Sequence, residues 1–189
     1  DNSVASYAQQ ILTQVKTVVV GKDPVLLWVL AAILARGHIL LEDIPGVGKT
    51  TLALAFSKAM ALDYRRMQFT PDVMPTDVTG FSVYNKATGQ LEYKPGAALC
   101  NLFLADEINR APAKVQSALL EAMQARRVTV MGRTFTLLPP FFVLATQNPI
   151  EQEGTYPLPE AQLDRFFFQI LIKYCLLYTS DAADDLTRV

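Results

Sequence analysis

The sequence predicts an α/β fold in three layers, in which a parallel sheet of five strands lies between helices. Short apolar runs alternate along the chain with longer segments of helical periodicity. Three of these runs, at 39–41, 102–105 and 141–145, lead into polar residues. Because ligands bind at the carboxyl edge of open α/β sheets, these endings predict a site at one edge. The strands are predicted near 39–42, 64–69, 102–105, 141–146 and 167–172.

Length and composition fit a globular domain. The chain has 189 residues, of which 51% are hydrophobic and 19% charged, with a formal net charge of −1 at pH 7. These values are typical of a core-forming protein and give no basic signature for nucleic acid. The longest apolar run, at 25–35, is too short to cross a bilayer, and Cys100 and Cys175 match no metal or disulfide spacing. We therefore expect a cytoplasmic protein without a membrane span.

Two helices are predicted before the first strand. Residues 4–18 carry apolar side chains at helical spacing. Asp23 and Pro24 are a favourable N-cap and first-turn pair, so a second helix should run from there to about Arg36. His38, the only histidine, adjoins a strand and is therefore expected to be structural rather than catalytic.

Residues 38–51 predict a phosphate-binding loop. They read HILLEDIPGVGKTT, an apolar strand and a glycine-containing loop, and a helix over 52–61 follows. In such loops the backbone N–H groups converge on phosphate oxygens, and the helix N-terminus adds partial positive charge. Lys49 would reach the β- and γ-phosphates, and the Thr50 hydroxyl would hold Mg²⁺. The literal motif has glycine where this chain has Asp43.

Two carboxylates follow the predicted strand at 102–105. The strand reads LFLA, and Asp106 and Glu107 come directly after it. Asp106 would hold Mg²⁺ through water, and Glu107 could polarise an attacking water. An apolar run that enters a solvated turn can look the same, but the position downstream of Gly-Lys-Thr favours the functional interpretation.

Two further polar residues could act on phosphate. Asn148 follows the strand at 141–146 and could bond the attacking water and the γ-phosphate, although a turn-forming Asn before Pro149 is equally common. Arg165 precedes the last predicted strand and could stabilise charge on a neighbouring subunit's γ-phosphate. The simpler alternative for Arg165 is a surface ion pair with Asp164.

The remaining segments predict a loop, two hairpins and a helix. Residues 70–80 are rich in Pro, Thr and Asp and predict a loop. Hairpins are predicted over 81–93, with a turn at 87–89, and over 128–138, with a turn at 131–133. A helix should cover 113–126.

The order of these motifs closely resembles the MoxR family of AAA+ ATPases, from about residue 11 to residue 174. Five segments carry the resemblance: PGVGKT at 45–50, LADEINRA at 104–111, QSALLEAM at 116–123, ATQNP at 145–149 and GTYPLPEAQLDRF at 154–166. It implies a P-loop NTPase fold of the AAA+ type, with a core ATPase domain over 1–174. It also implies that the hairpins at 81–93 and 128–138 are the helix-2 insert and the pre-sensor-1 hairpin.

The resemblance implies roles for individual residues in binding and hydrolysing ATP with Mg²⁺. Asp106 looks like the Walker B metal carboxylate, beside Thr50, and Glu107 like the catalytic base. Asn148 is similar to sensor 1, and Arg165 to the arginine finger that acts on the neighbouring subunit. The residues implied around the nucleotide are Val20, Gly21, Pro45, Gly46, Val47, Gly48, Lys49, Thr50 and Thr51.

At the level of assembly, the resemblance implies a homo-oligomeric ring, expected to be a hexamer, with both hairpins facing its pore. Family members are thought to be chaperone-like remodellers whose client proteins often carry a von Willebrand factor A domain. An arginine supplied in trans makes the hydrolytic site composite, so a ring is required for full activity.

The chain departs from the family pattern in two places. Asp43 replaces the first Walker A glycine, and we expect nucleotide binding to survive this. Residues 175–189 resemble read-through of a sequencing adaptor, so we expect them not to be native and the C-terminal helical lid to be lacking. Two alternatives stay open: a nucleotide-dependent binding module with little hydrolysis, because the lid is expected to be lacking, and a nucleic-acid motor, because related ring ATPases with similar hairpins translocate DNA, although the net charge disfavours it.

Overall fold

A computed structural model of the chain describes residues 2–19, 23–42, 48–147 and 154–158. Its helices are α1 (Asn2–Lys16), α2 (Asp23–Leu34), α3 (Lys49–Ala59), α4 (Pro75–Thr79) and α5 (Ala113–Ala125), with a 3₁₀ helix over Ile108–Arg110. Its strands are β1 (Ile39–Glu42), β2 (Tyr64–Gln68), β3 (Gly80–Asn85), β4 (Gln90–Pro95), β5 (Leu102–Asp106), β6 (Arg127–Val130), β7 (Arg133–Thr136) and β8 (Phe142–Gln147).

Four strands form a parallel sheet in the order β1-β8-β5-β2. Leu104 of β5 lies opposite Leu144 of β8, and Asp106 lies opposite Gln68 of β2. Every residue of β5 is buried, as expected for a central parallel strand covered on both faces. The predicted parallel strands at 39–42, 64–69, 102–105 and 141–146 are confirmed, whereas the fifth, at 167–172, lies outside the described residues.

Two apolar clusters cover the two faces of the sheet. Leu104 and Leu144 pack into a cluster with buried residues of α1, α2 and α3, whereas the neighbouring Phe103 and Val143 pack into a cluster with buried residues of α5. Successive side chains of a strand point to opposite faces, so adjacent residues of one strand serve different clusters. This arrangement confirms the predicted three layers.

His38 joins β1 to β8 and α5. Its ring is buried, its Nδ1 accepts the N–H of Val143 at 3.0 Å, and its Nε2 lies 3.4 Å from the carbonyl oxygen of Met123. Burial lowers its pKa to about 4, against the opposing effect of the Met123 carbonyl and with a smaller contribution from the charge of Arg126. These contacts are those of a neutral structural histidine.

Both predicted hairpins are present: β3 pairs with β4 and β6 pairs with β7, each antiparallel. The second turn lies at Met131 and Gly132, which both have positive φ. The predicted loop over 70–80 contains a helical turn, α4, which begins at Pro75 and is capped by an Asp77 carboxylate that accepts the N–H of Met74. No described helix combines the length and apolar character that a membrane span needs.

Candidate active site

The first turn of α3 lies at the carboxyl edge of the sheet. Gly48 precedes the helix with φ of 65°, a left-handed conformation that glycine adopts without strain, and Lys49 is the first helical residue. As the N-cap, Gly48 offers no side chain to bond the first helical N–H groups. Thr50 and Thr51 are exposed in the same turn. A helix N-terminus of this kind favours an anion.

Asp106, the last residue of β5, connects three strands and α3. Its side chain is only 3% exposed, and its Oδ1 lies 2.7 Å from Lys49 Nζ and accepts the Thr146 hydroxyl at 2.7 Å. Its Oδ2 accepts a hydrogen bond from Arg66 Nη2 at 2.8 Å. The cluster therefore gathers side chains from β2, β5, β8 and the start of α3.

The charges around Asp106 decide its ionisation. Burial alone would raise its pKa, but hydrogen bonds from Lys49, Thr146 and Arg66 outweigh that effect and hold the pKa below its usual value. A buried carboxylate kept ionised by cations is the type of group that binds a divalent cation. Among the described residues, no group of three or more His, Cys, Asp or Glu side chains could hold a metal ion together. Asp106 would therefore be one carboxylate ligand beside donors of other kinds.

Glu107 follows Asp106 in an uncommon backbone conformation. Its φ of 56° and ψ of 53° are left-handed, a region that non-glycine residues rarely adopt and that occurs at functional sites. Its N–H donates to Thr146 Oγ1 at 2.8 Å, while the same hydroxyl donates to Asp106. Its carboxylate Oε2 lies 3.5 Å from Arg110 Nη1. Thr146 thus fixes the relative positions of the two carboxylate-bearing residues.

The structure brings some of the sequence-predicted residues together. Lys49 contacts Asp106 directly, Glu107 adjoins Asp106, and Gly48, Thr50 and Thr51 flank Lys49. The other candidates lie outside the described residues, and their placement stays a prediction: Val20, Gly21, Pro45, Gly46, Val47, Asn148 and Arg165.

Sequence reasoning missed two residues of this cluster. Arg66 lies on β2 and contacts Asp106, whereas its neighbour Arg65 donates to the carbonyl of Gly96 instead. Thr146 carried a usable signal, because it is a polar residue at the end of the apolar run of β8. For Arg66 there was no such signal, because the pattern of residues along β2 does not show which side chain of the neighbouring strand lies beside it.

Comparison with known proteins agrees with this geometry. The sequence profile described as "ATPase family associated with various cellular activities (AAA)" matches residues 38–168. The YeaC protein of Bacillus subtilis is 58% identical over 160 residues, which make up 85% of this chain and 50% of that protein. Chaperone MoxR1 of Mycobacterium tuberculosis is 49% identical over 166 residues, covering 88% of this chain and 44% of that protein.

Solved structures give the same result. The crystal structure of a candidate ATPase from Cytophaga hutchinsonii matches with a TM-score of 0.76 and 51% identity, over 86% of this chain and 50% of that one. The chain thus spans about half the length of the relatives it matches. The predicted α/β fold of the AAA+ type is confirmed. The chain belongs to the MoxR family of AAA+ ATPases.

Proposed function

We propose that this chain binds Mg²⁺–ATP at the carboxyl edge of its sheet and hydrolyses the terminal phosphate. The observation that carries the proposal is the cluster in which the Lys49 ammonium, at the N-terminus of α3, lies 2.7 Å from the buried carboxylate of Asp106. A cation and a helix N-terminus are suited to phosphate, and the adjacent carboxylate is suited to a metal ion. The family membership supports the same chemistry.

The residues present fit both groups. Asp106 and the Thr50 hydroxyl supply the oxygen donors that Mg²⁺ prefers, and Gly48 leaves room for close approach of phosphate to the helix. When bound, Mg²⁺ neutralises negative charge on the phosphate oxygens. Lys49 would exchange its contact with Asp106 for the β- and γ-phosphates, and Pro45, Gly46, Val47 and Thr51 would surround them.

Glu107 would act on the attacking water. Its backbone N–H donates to Thr146 Oγ1, so the hydroxyl that bonds Asp106 also fixes the backbone that carries the Glu107 side chain. A carboxylate in this position can orient a water and accept its proton. Asn148 would hydrogen-bond that water and the γ-phosphate, and Val20 and Gly21 would contact the adenine.

The proposed site is completed by a neighbouring subunit. Arg165 would stabilise charge on the neighbour's γ-phosphate, which requires a head-to-tail ring, expected to be a hexamer. One relative is named a chaperone, and this supports a function in remodelling or maturing a client protein, for which a von Willebrand factor A domain is the expected module. We place this activity in the cytoplasm.

The direct test is the ATPase rate per subunit as a function of protein concentration, with Arg165→Ala measured alongside. A shared site predicts a specific rate that rises with concentration and collapses in the variant. ATP binding without turnover at any concentration would favour a binding module instead. Salt-sensitive stimulation by DNA, in place of stimulation by a client protein, would favour a nucleic-acid motor.

A further inference from the structure

Gln116 of α5 is a buried amide that contacts two separate backbone segments. The residue is 4% exposed, and its Nε2 lies 3.2 Å from the carbonyl oxygens of Ile108 and Ala111 and 2.7 Å from that of Tyr156, so its two N–H groups are shared among three acceptors. Ile108 and Ala111 belong to the turn that follows Glu107, whereas Tyr156 belongs to segment 154–158. One side-chain nitrogen therefore bonds both segments.

The backbone adds a second link between the same segments. The N–H of Tyr156 donates to the carbonyl oxygen of Asn109, in the turn that Gln116 also bonds. Leu158, two residues later, is buried in the apolar cluster that also contains Ile108 and Ala111. Segment 154–158 is therefore fixed to the turn by its backbone, by Gln116 and by an apolar side chain.

The amide has no simple apolar substitute. Buried carbonyl groups that lose their donor and cannot reach water are strongly unfavourable. A leucine of similar size at position 116 would fill the space but would leave the carbonyl of the buried Ala111 without this donor and the part-buried carbonyl of Tyr156 without its bond to α5, while the Ile108 carbonyl would keep the Ala111 N–H. We expect the two segments to separate, or to admit water, when the amide is removed.

We propose that Gln116 is a positioning residue that holds the turn after Glu107 and segment 154–158 in one rigid unit. At one end of this unit lies Glu107, whose left-handed backbone precedes the turn directly. The described part of the unit ends at Leu158, and Arg165, which lies outside the described residues, follows seven residues later in the sequence. This inference rests on the proposed function. In it, the buried amide of Gln116 sets the position of the catalytic Glu107 of a subunit relative to that subunit's Arg165, which acts on the neighbouring site.

Amide hydrogen exchange tests the rigid unit without any need for activity. Gln116→Leu, and Gln116→Met as a more flexible second variant, should speed exchange of the Tyr156 N–H by about tenfold or more, since a bond worth about 1.4 kcal/mol corresponds to tenfold. Gln124→Leu is the matched control, because Gln124 lies on the same helix but is exposed. Exchange at Tyr156 that is equal in the Gln116 variants and the control would overturn the proposal.

Mixed rings test the link to the neighbouring site. Subunits with Glu107→Gln keep their arginine, and subunits with Arg165→Ala keep their carboxylate, so mixing the two should restore turnover if the site is shared. Adding Gln116→Leu to the Glu107→Gln subunit should lower that restored turnover by about tenfold or more while nucleotide affinity stays the same. A local effect on Glu107 cannot cause this, because that subunit's own carboxylate is already absent.

The outcomes separate this inference from the proposed function. If Gln116→Leu leaves the restored turnover unchanged, Gln116 does not position the Arg165 that acts on the neighbouring subunit. Gln124→Leu in the same subunit should leave restored turnover intact. If mixing the Glu107→Gln and Arg165→Ala variants restores no turnover at all, the shared site is contradicted, and so is the effect of Gln116 on the neighbouring site. The hydrogen-exchange experiment would still decide whether Gln116 holds the two segments together.

Discussion

Lys49 and Asp106 form a direct ion pair, with 2.7 Å between Nζ and Oδ1. The pair joins the first residue of α3 to the last residue of β5. Protein atoms alone therefore connect the helix N-terminus to the carboxyl edge of the sheet. The Lys49 ammonium offsets the charge of a carboxylate that would otherwise be costly to bury. Binding of a phosphate chain therefore has to exchange partners for both residues.

Lys49→Ala should lose nucleotide binding. The ammonium would no longer be present to bond the phosphates, and we expect the affinity to fall by at least about tenfold, as for loss of a charge-assisted hydrogen bond. Titration with a fluorescent ATP analogue measures this. Lys58→Ala, on an exposed position of the same helix, is the control and should bind normally. Equal affinity in both variants would remove Lys49 from the site.

Arg66→Met should destabilise the fold, because the buried carboxylate of Asp106 would lose one of the two cationic partners that it has among the described residues. A charge-assisted hydrogen bond of this kind, to a partly exposed guanidinium, contributes about 1 kcal/mol or somewhat more to the free energy of unfolding. Urea unfolding at pH 7 measures the loss. Arg65→Met is the matched control because Arg65 bonds the Gly96 carbonyl rather than Asp106. A larger loss in the Arg65 variant would contradict the assignment.

His38 should make stability depend on pH in mildly acidic solution. Its pKa is lowered from 6.5 to about 4 by burial, so below pH 6.5 the unfolded chain takes up a proton that the folded chain does not. The folded state therefore loses stability as the pH falls, by about 2 kcal/mol between pH 7 and pH 5. Urea unfolding at both pH values measures this loss.

The control for His38 is the variant His38→Gln, which should lose most of that pH dependence although it is less stable at pH 7. Because the chain has one histidine, the imidazole resonances also report its pKa without ambiguity. Titration of the ring in the folded protein near pH 6.5 would show that the ring is not held neutral by burial.

Tyr93 and Phe135 should couple the two hairpins. The rings stack with centroids 3.8 Å apart and planes inclined by 11°, and they join β4 to β7. A double-mutant cycle with Tyr93→Leu and Phe135→Leu should give a coupling free energy of about 1 kcal/mol in urea unfolding. A control cycle that combines a leucine substitution of the exposed Tyr84 of β3 with Phe135→Leu should give almost no coupling free energy. Equal coupling in the two cycles would argue against a specific contact.

Much of the fold could be predicted from the sequence because buried parallel strands appear in it as short apolar runs. The runs at 39–41, 102–105 and 141–145 became β1, β5 and β8 with small changes at their ends. The predicted helix over 52–61 begins earlier, at Lys49, because the left-handed Gly48 turns the chain straight into the helix. Helix α4 was missed because five residues are too few to show periodicity, and Pro75 and Asp77 define it locally.

The site was only partly readable, for a different physical reason. The motifs identified Lys49, Asp106 and Glu107, which belong to local strand-and-turn patterns. Arg66 and Gln116 act through partners that are distant in the sequence: Arg66 through Asp106, and Gln116 through Tyr156. Such contacts depend on strand order and on the face that each side chain occupies, and a single sequence does not state either directly.

In the proposed function, Glu107 polarises the attacking water at a site that Lys49 and Asp106 build. Glu107→Gln tests this role, with Mg²⁺–ATP binding and turnover measured on the same preparation. The amide keeps the shape of the side chain but cannot accept a proton from water. We expect unchanged binding and a loss of turnover of at least about a hundredfold. Turnover equal to that of the unsubstituted chain would show that another group positions the water.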